Sequence, residues 1–212
     1  MSMSEAQEVW EQHYRERERI WSGRANVRLA EVASSLAPGR ALDVGCGEGG
    51  DAVWLAEHGW QVTAVDISQT ALDRAAEDAR SRNVLSRIDF QRHELPDSFP
   101  DGEFDLVSAH FLHSTVELDR PRLLRRAADA VAAGGTLLIV DHGGAPPWAW
   151  KPAHEHVFLS AEEVLSSLQL DPAQWDRLRV GPIERDAVGP EGQTATVTDN
   201  VIELRRRDQA AS

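Results

Sequence analysis

Short apolar segments alternate with helix-like segments from residue 41 to residue 140, and no other property of the chain limits the possible folds as strongly. The apolar segments predict five strands, at 41–44, 62–65, 88–91, 104–109 and 136–140. Strands that alternate with helices of about 10–15 residues are typical of βαβ units. The sheet built from such units is parallel and is covered by helices on both faces.

Helices are predicted around these strands from apolar residues spaced three and four positions apart. They cover residues 5–20, 28–37, 51–58, 69–83, 119–133 and 161–169. Two further strands, at 178–188 and 194–206, close the chain. The expected fold class is therefore α/β, with a doubly wound, seven-stranded, mostly parallel sheet, helices on both faces and an antiparallel last strand. A chain of 212 residues fits one domain of this kind, spanning 1–212.

Charge and hydropathy restrict the partners. The formal net charge is −13, from 35 acidic and 22 basic residues. This charge repels phosphate backbones and anionic lipid surfaces, so neither a nucleic acid nor a membrane is expected as a partner. The amino-terminal residues are charged rather than apolar, and no apolar run approaches the roughly 18 residues of a membrane span. We therefore expect a cytoplasmic protein.

Rare residue types restrict the chemistry. Cys46 is the only cysteine, which excludes an intramolecular disulfide and a cysteine-based metal cluster. Tyr14 is the only tyrosine and Lys151 the only lysine, so a Tyr-x-x-x-Lys pair is impossible. His154 and His156 alternate in a loop, but without a third ligand at a clear spacing no metal is predicted.

A glycine-rich loop at 45–50 joins the first strand to its helix, and Asp66 ends the second strand 21 residues after Gly45. Glycines let a ligand approach the turn closely, and the helix amino terminus offers free N–H groups. An acid at the end of the second strand can accept hydrogen bonds from a ribose diol. The pattern predicts a ribose-containing cofactor and leaves both a dinucleotide and an S-adenosyl compound open.

Asp43 favours the second of these ligands. It lies inside an apolar strand, two residues before the first glycine, where an unpaired charge is costly. A pyrophosphate close by would add to that cost, whereas a ligand with an ammonium and a sulfonium group would lower it.

Four segments together resemble the motifs of class I S-adenosylmethionine-dependent methyltransferases. They are 41–49 with the glycine loop, 62–68 with the second strand, 99–107 leading into the fourth strand, and 133–139 leading into the fifth. The resemblance covers about residues 40–141. It implies the Rossmann-like fold of that family, S-adenosylmethionine as cofactor and S-adenosylhomocysteine as product.

The resemblance also implies roles for individual residues near the cofactor. Gly45, Cys46 and Gly47 would lie beneath its methionine moiety, with Asp43 close to it. Asp66 would bind the ribose hydroxyls, and Ile67 would lie against the adenine. The position that contacts the adenine amino group falls on His93 or Glu94, the latter through its backbone N–H, and neither is the aspartate common in the family. His110 matches a position that lines the methyl-donor pocket.

Three histidines follow the fourth and fifth strands, where ligands bind in open α/β sheets. His110, His113 and His142 are therefore expected to converge near the transferred methyl group. His113 and His142 are candidate catalytic residues, as acceptor-orienting groups or proton acceptors. The competing interpretation is that His113 only caps or packs and that His142 only turns the chain.

The amino-terminal segment resembles the lid of the tellurite-resistance, thiopurine and thiol methyltransferase branches. Tyr14 and Trp21 are the lid candidates, with Trp21 against the cofactor and Tyr14 among the catalytic candidates. The resulting division is a helical lid over 1–37, a cofactor-binding core over 40–141, and an acceptor loop, helix and closing hairpin over 142–212.

The predicted function is methyl transfer from S-adenosylmethionine to a small molecule. The lid resemblance and the histidines favour S-methylation of a low-molecular-weight thiol, and mycothiol would be the candidate if the source were an actinobacterium. Two alternatives stay open. One is O- or N-methylation of a planar aromatic metabolite, and the other is a cofactor-binding module without catalysis.

Overall fold

The computed structural model describes residues 3–114, 116–148, 158–189 and 191–208. Its centre is a seven-stranded sheet in the order β3-β2-β1-β4-β5-β7-β6. The strands are β1 (Arg40–Val44), β2 (Gln61–Asp66), β3 (Ile88–Arg92), β4 (Phe104–His110), β5 (Val131–His142), β6 (Trp175–Val188) and β7 (Thr194–Arg206). The first five strands pair in parallel, and β7 is antiparallel to both β5 and β6. The predicted fold class is confirmed.

Six α-helices accompany the sheet in the described part of the chain. They are α1 (Glu5–Arg15), α2 (Val27–Ala33), α3 (Gly50–Glu57), α4 (Gln69–Ser81), α5 (Arg120–Asp129) and α6 (Ala161–Leu168). Two apolar clusters fill the space between helices and sheet. Trp60 lies in one cluster with the inner faces of α3 and α4, and Phe104 lies in the other with α5 and α6. No helix in the described residues combines the length and apolar character needed to cross a bilayer.

Three helix predictions were wrong at their ends, and the helix predicted over 28–37 already ends at Ala33. The first helix stops at Arg15 rather than at residue 20, because the backbone N–H groups of Ile20 and Trp21 donate to the carboxylate of Glu48 instead of continuing the helix. The lid segment is therefore helical only in α1 and α2, with a non-helical connection over 16–26. Val131, predicted on a helix face, begins β5.

The strand arrangement brings three loops to one edge of the sheet. The parallel strands β1, β2, β4 and β5 all end on this edge, which is where ligands bind in open α/β sheets. The glycine loop follows β1, Asp66 ends β2, and His110 ends β4. The amino-terminal helix α1 packs on α4 beside the same edge.

Candidate active site

A cavity of about 880 Å³ opens at the carboxyl ends of the parallel strands. Twelve of the thirteen residues expected from the sequence line it. They are Tyr14, Trp21, Asp43, Gly45, Cys46, Gly47, Asp66, Ile67, His93, Glu94, His110 and His113. The thirteenth, His142, is not part of the cavity wall.

The glycine loop is held by β2. The N–H groups of Gly45 and Cys46 both donate to the carbonyl of Val65 at 2.9 Å, and the N–H of Gly47 donates to Oδ2 of Asp66 at 2.9 Å. The other oxygen of Asp66 accepts from the N–H of Ser68 at 2.9 Å. A carboxylate has about four lone-pair sites, so Asp66 can hold the loop and still accept hydrogen bonds from a ligand.

Four carboxylates, three of them buried, surround this loop. Asp43 and Glu48 are each 3% exposed, and Asp51 and Asp66 adjoin them. Burial raises the pKa of Asp43 well above its usual range, and the negative charges of Asp51 and Asp66 raise it further. Burial also raises the pKa of Asp66, against the lowering effect of its backbone N–H donors.

The Asp43 carboxylate distinguishes between the two candidate ligands, S-adenosylmethionine and a dinucleotide. Its Oδ2 atom is buried, and no described residue donates a hydrogen bond to it. A buried carboxylate surrounded by like charges is stabilised by a cation. S-adenosylmethionine carries an ammonium and a sulfonium group, whereas a dinucleotide would bring a pyrophosphate to the same place. The cavity residues therefore fit S-adenosylmethionine.

Gly45 offers a direct test of how tightly the loop is packed. Its φ is +73°, and a Cβ atom there would lie 2.4 Å from Cδ1 of Leu112. We expect Gly45→Ala to lower both the melting temperature and the affinity for S-adenosylhomocysteine, because backbone strain of about 1–2 kcal/mol adds to a displacement of the Leu112 side chain in the cavity wall. Calorimetry and thermal denaturation measure the two effects.

Gly192→Ala is the matched control for that variant. Gly192 also has a positive φ, +82°, but a Cβ atom there would have no described neighbour within 4 Å. The control carries the backbone strain without that displacement, so it is expected to leave ligand affinity unchanged. Equal losses of affinity in both variants would contradict the role of Gly45 as a close-packed floor of the cavity.

The connection over 16–26 closes the cavity from above. Oε2 of Glu48 accepts from the N–H groups of Ile20 and Trp21 at 3.0 and 2.9 Å, and its Oε1 accepts from Nη1 of Arg74 at 2.8 Å. The indole Nε1 of Trp21 donates to the hydroxyl of Tyr14 at 3.3 Å. Burial raises the pKa of Tyr14 far above neutral pH, so the hydroxyl stays protonated and acts as a hydrogen-bond donor rather than a base.

Helix α1 is tied to the cavity edge through Glu11, which is 4% exposed. Its carboxylate accepts from the hydroxyls of Ser68 at 2.5 Å and Thr70 at 2.7 Å. Burial alone would raise the pKa of Glu11, yet the hydrogen bonds from Ser68 and Thr70 outweigh it and lower that pKa. Tyr14 is therefore anchored, one helical turn after Glu11, on the rim of the cavity.

The expected adenine-contact position already has local partners. The two ring nitrogens of His93 lie 3.2 Å from Oγ of Ser98 and 2.9 Å from Oε1 of Gln91. The backbone N–H of Glu94 donates to the same Ser98 hydroxyl at 2.9 Å. Contrary to the expectation from the family, that N–H is engaged, because the chain turns back on itself after β3.

The three histidines at the ends of β4 and β5 take different positions. Nδ1 of His110 lies 2.6 Å from Oδ2 of Asp51, while its Nε2 is buried without a partner among the described residues. Nε2 of His113 lies 3.8 Å from Oδ1 of Asp141. Both histidines line the cavity.

His142 lies behind that wall. Its ring stacks on Phe111, which does line the cavity, with the ring centres 4.2 Å apart, and it lies 5.9 Å from the ring of His113. Phe111 adopts a positive φ of +48° directly after β4, which places its ring over His142. The expectation that all three histidines reach the ligand therefore does not hold for His142, whose pKa is lowered by burial and by His113.

Sequence reasoning missed Glu48 and Asp51 as site residues. Both stand in or directly after the glycine loop, where acids are ordinarily solvated, and only their partners in the lid and in β4 give them a role. Asp51 joins the two regions, since its Oδ1 accepts from the N–H of Asn26 at 2.6 Å.

No group of three histidine, cysteine or acidic side chains suited to a metal occurs among the residues that the structure describes. His154 and His156, considered above as metal ligands, lie outside the described residues.

Comparison with known proteins places this geometry among methyltransferases. Residues 41–135 match the family model for a methyltransferase domain. The chain is 31% identical over 148 residues to thiocyanate methyltransferase 1 of Brassica oleracea, covering 66% of each protein. It is 32% identical over 131 residues to ribosomal RNA small subunit methyltransferase C of Alcanivorax borkumensis, covering 59% of this chain and 39% of that protein. The chain thus spans less than two thirds of these relatives.

A solved structure extends the likeness to the whole fold. The N-methyltransferase NodS of Bradyrhizobium japonicum, in complex with S-adenosylhomocysteine, superposes with a TM-score of 0.67 at 19% identity. The match covers 95% of this chain and 99% of NodS.

Proposed function

Since the chain belongs to the class I S-adenosylmethionine-dependent methyltransferases, we propose that it transfers a methyl group from S-adenosylmethionine to a small-molecule acceptor, and specifically to the sulfur of a low-molecular-weight thiol. The observation that carries the methyl-donor part is the buried carboxylate of Asp43 beside the glycine loop, whose Oδ2 atom has no hydrogen-bond partner among the described residues. A cationic ligand at this place relieves the repulsion among Asp43, Asp51 and Asp66.

When bound, S-adenosylmethionine supplies a methyl group on a positively charged sulfur, and the reaction forms a bond from the acceptor atom to that carbon while the bond to the sulfonium breaks. The protein's part is alignment, which can be worth about 7–11 kcal/mol. In the proposed arrangement Asp66 holds the ribose, and the loop at Gly45 and Gly47 leaves room for the methionine moiety. Tyr14 and Trp21 cover the site and exclude water.

A thiol acceptor is compatible with the side chains on the open side of the cavity, which include His113 and Tyr14. A thiol has a reference pKa of about 8.5, so it needs little help to lose its proton. His113 lines the cavity, with its Nε2 3.8 Å from Oδ1 of Asp141, and it is the proposed proton acceptor. Tyr14, which stays protonated, would donate a hydrogen bond to the acceptor rather than remove its proton. His142 would support Phe111 from behind.

Two further points support this choice of acceptor. Thiocyanate methyltransferase 1, to which the chain is similar, is named for a small sulfur-containing acceptor. The net charge of −13 opposes binding of a polyanionic nucleic acid such as ribosomal RNA.

The test uses methyl-labelled S-adenosylmethionine, the purified protein and a deproteinised small-molecule extract. One portion of the extract is treated with an alkylating agent to block free thiols before the assay. We expect label in a small-molecule product only with the untreated extract, and mass analysis of that product then names the acceptor. Protein in which Asp66 is replaced by asparagine serves as the control for background transfer.

The other outcomes separate the alternatives. Equal labelling in treated and untreated extracts would contradict the thiol proposal and favour O- or N-methylation of an aromatic metabolite. Tight binding of S-adenosylhomocysteine without transfer to either extract would contradict catalysis on small molecules and favour a binding module.

A further inference from the structure

The β6–β7 hairpin extends past the edge of the sheet where the cavity lies. His142, the last residue of β5, pairs with Asp199, and Asp199 in turn pairs with Ile183. Residues 184–188 and 194–198 therefore have no partner in β5 and project beyond the parallel strands. The first of these two segments supplies residues 185–188 to the cavity wall.

Arg185 is the one cation on this projecting wall segment. Its Nε donates to Oδ2 of Asp199 at 2.7 Å, and Asp199 is only 1% exposed. Nε of Arg28 lies 3.7 Å from the same oxygen, so Asp199 is compensated from two sides. This anchor fixes the base of the Arg185 guanidinium within the cavity wall.

The outer half of that guanidinium has no partner among the residues that the structure describes. No described residue accepts a hydrogen bond from Nη1 or Nη2 of Arg185, whose side chain is 27% exposed. The guanidinium fork presents its donors in a plane that matches the two oxygens of a carboxylate. A fork anchored by Nε with both terminal nitrogens open is therefore prepared for a ligand oxygen group.

The other two arginines that line the cavity, Arg122 and Arg24, differ from Arg185 in their hydrogen-bond partners. Arg122 is already paired, with its Nη1 2.8 Å from Oδ1 of Asp97. Arg24 makes no side-chain hydrogen bond or ion pair among the described residues, and it lies in an exposed part of the connection over 16–26. Helix α2, which follows that connection, contacts the hairpin, where Nη2 of Arg28 donates to the carbonyl of Glu184 at 3.0 Å.

We propose that Arg185 binds a carboxylate of the methyl acceptor. The inference rests on the proposed function, because it assigns the substrate class of the same cavity. The acids around the glycine loop lie on β1, on β2 and in the turn and helix that follow β1, whereas Arg185 lies on β6, an edge strand of the sheet. An anionic group is repelled from the part of the cavity near these acids and attracted to the part near Arg185. This orients the acceptor with its nucleophile towards the methyl donor.

A single carboxylate fits better than a polyanion. Glu117, Asp119 and Asp186 also line the cavity, and the chain as a whole carries a charge of −13. These groups oppose several negative charges at once, whereas one carboxylate can be matched by one guanidinium.

The first test measures binding without any methyl transfer. Protein saturated with S-adenosylhomocysteine is titrated by calorimetry with 3-phenylpropionate and with its neutral amide, 3-phenylpropionamide. A hydrogen-bonded charge pair predicts that the carboxylate binds about tenfold more tightly or better. In Arg185→Gln the two probes should bind within about twofold of each other, while Arg122→Gln, the matched control, should keep the preference.

The results that overturn the proposal are plain. Equal affinity for the two probes in the unaltered protein, or a preference that survives in Arg185→Gln, contradicts a carboxylate site. If Arg185→Gln fails to fold, Arg185→Met replaces it, because methionine removes the charge and the donors but keeps an unbranched side chain. A preference in Arg185→Met as large as in the unaltered protein then also overturns the proposal.

The second test separates this inference from the proposed function. Methyl transfer to 3-mercaptopropionate is compared with transfer to 3-mercaptopropionamide, and the carboxylate should have a kcat/KM about tenfold higher or more, through a lower KM. Equal kcat/KM values for the two thiols contradict the inference. Failure of both thiols to react, together with preferred binding of 3-phenylpropionate, contradicts the thiol acceptor alone and leaves the carboxylate site supported.

Discussion

Replacing Asp66 with asparagine is expected to weaken the binding of S-adenosylhomocysteine by about 10- to 100-fold. A hydrogen bond to a charged group contributes about 1.5–3 kcal/mol, and the amide loses that charge towards the ribose. The amide also has only one accepting oxygen, so it cannot hold the N–H groups of both Gly47 and Ser68, which now donate to different oxygens. Isothermal titration calorimetry measures the change.

Asp89→Asn is the matched control, because Asp89 lies on the neighbouring strand β3 and its side chain is exposed. It should leave both ligand affinity and melting temperature unchanged. Thermal denaturation without ligand tells whether Asp66→Asn also loosens the glycine loop. Unchanged affinity in Asp66→Asn, with the protein folded, would contradict the ribose contact and with it the assignment of the cavity to an adenosine-bearing ligand.

Most of the sheet could be predicted because its strands are buried on both faces. The run at 137–140 is apolar throughout, and the structure buries each of its residues. Strand identity in such a segment follows from local composition alone. The same holds for the capping box that begins α6, where Ser160 and Glu163 satisfy each other's backbone groups within one turn.

The end of the first helix could not be predicted, because its cause lies far away in the sequence. Residues 16–20 are charged and form helices readily, so local propensity favours continuation. The hydrogen bonds that end the helix run from Ile20 and Trp21 to Glu48, 28 and 27 residues further on. Tertiary contacts of this kind override propensity and leave no local signal.

The residues of the site likewise divide into those that could be predicted from the sequence and those that could not. Glycines and acids at fixed places on βαβ units could be assigned from their spacing, because the fold determines where strand ends meet. His142 follows β5 as directly as His110 follows β4, yet Phe111 separates it from the cavity. Arg185 depends on the register of a hairpin, which shifts between Arg177 and Arg179, and this register sets which hairpin residues project past β5. Neither the ring position nor the register has a sequence pattern of its own.

Removing the carboxylate of Glu48 is expected to open the cavity. In Glu48→Ala the N–H groups of Ile20 and Trp21 lose a charged acceptor, and Arg74, whose Nη2 also donates to the carbonyl of Arg17 at 2.7 Å, loses its partner. Each hydrogen bond to a charged group contributes about 1.5–3 kcal/mol, so the closed position of 16–26 loses several kcal/mol. Apparent affinity falls with the closed fraction, and we expect it to drop at least about tenfold.

Limited trypsin digestion gives a second measure of the same change. The connection contains Arg17, Arg19 and Arg24, and cleavage there should become faster in Glu48→Ala while S-adenosylhomocysteine slows it less than in the unaltered protein. Glu57→Ala is the control. It removes an exposed ion pair between Glu57, at the end of α3, and Arg82, which follows α4, and it should match the unaltered protein in both assays. Slower or equal cleavage in Glu48→Ala with unchanged affinity would mean that Tyr14 and Trp21 are held over the cavity by Glu11 and α1 alone.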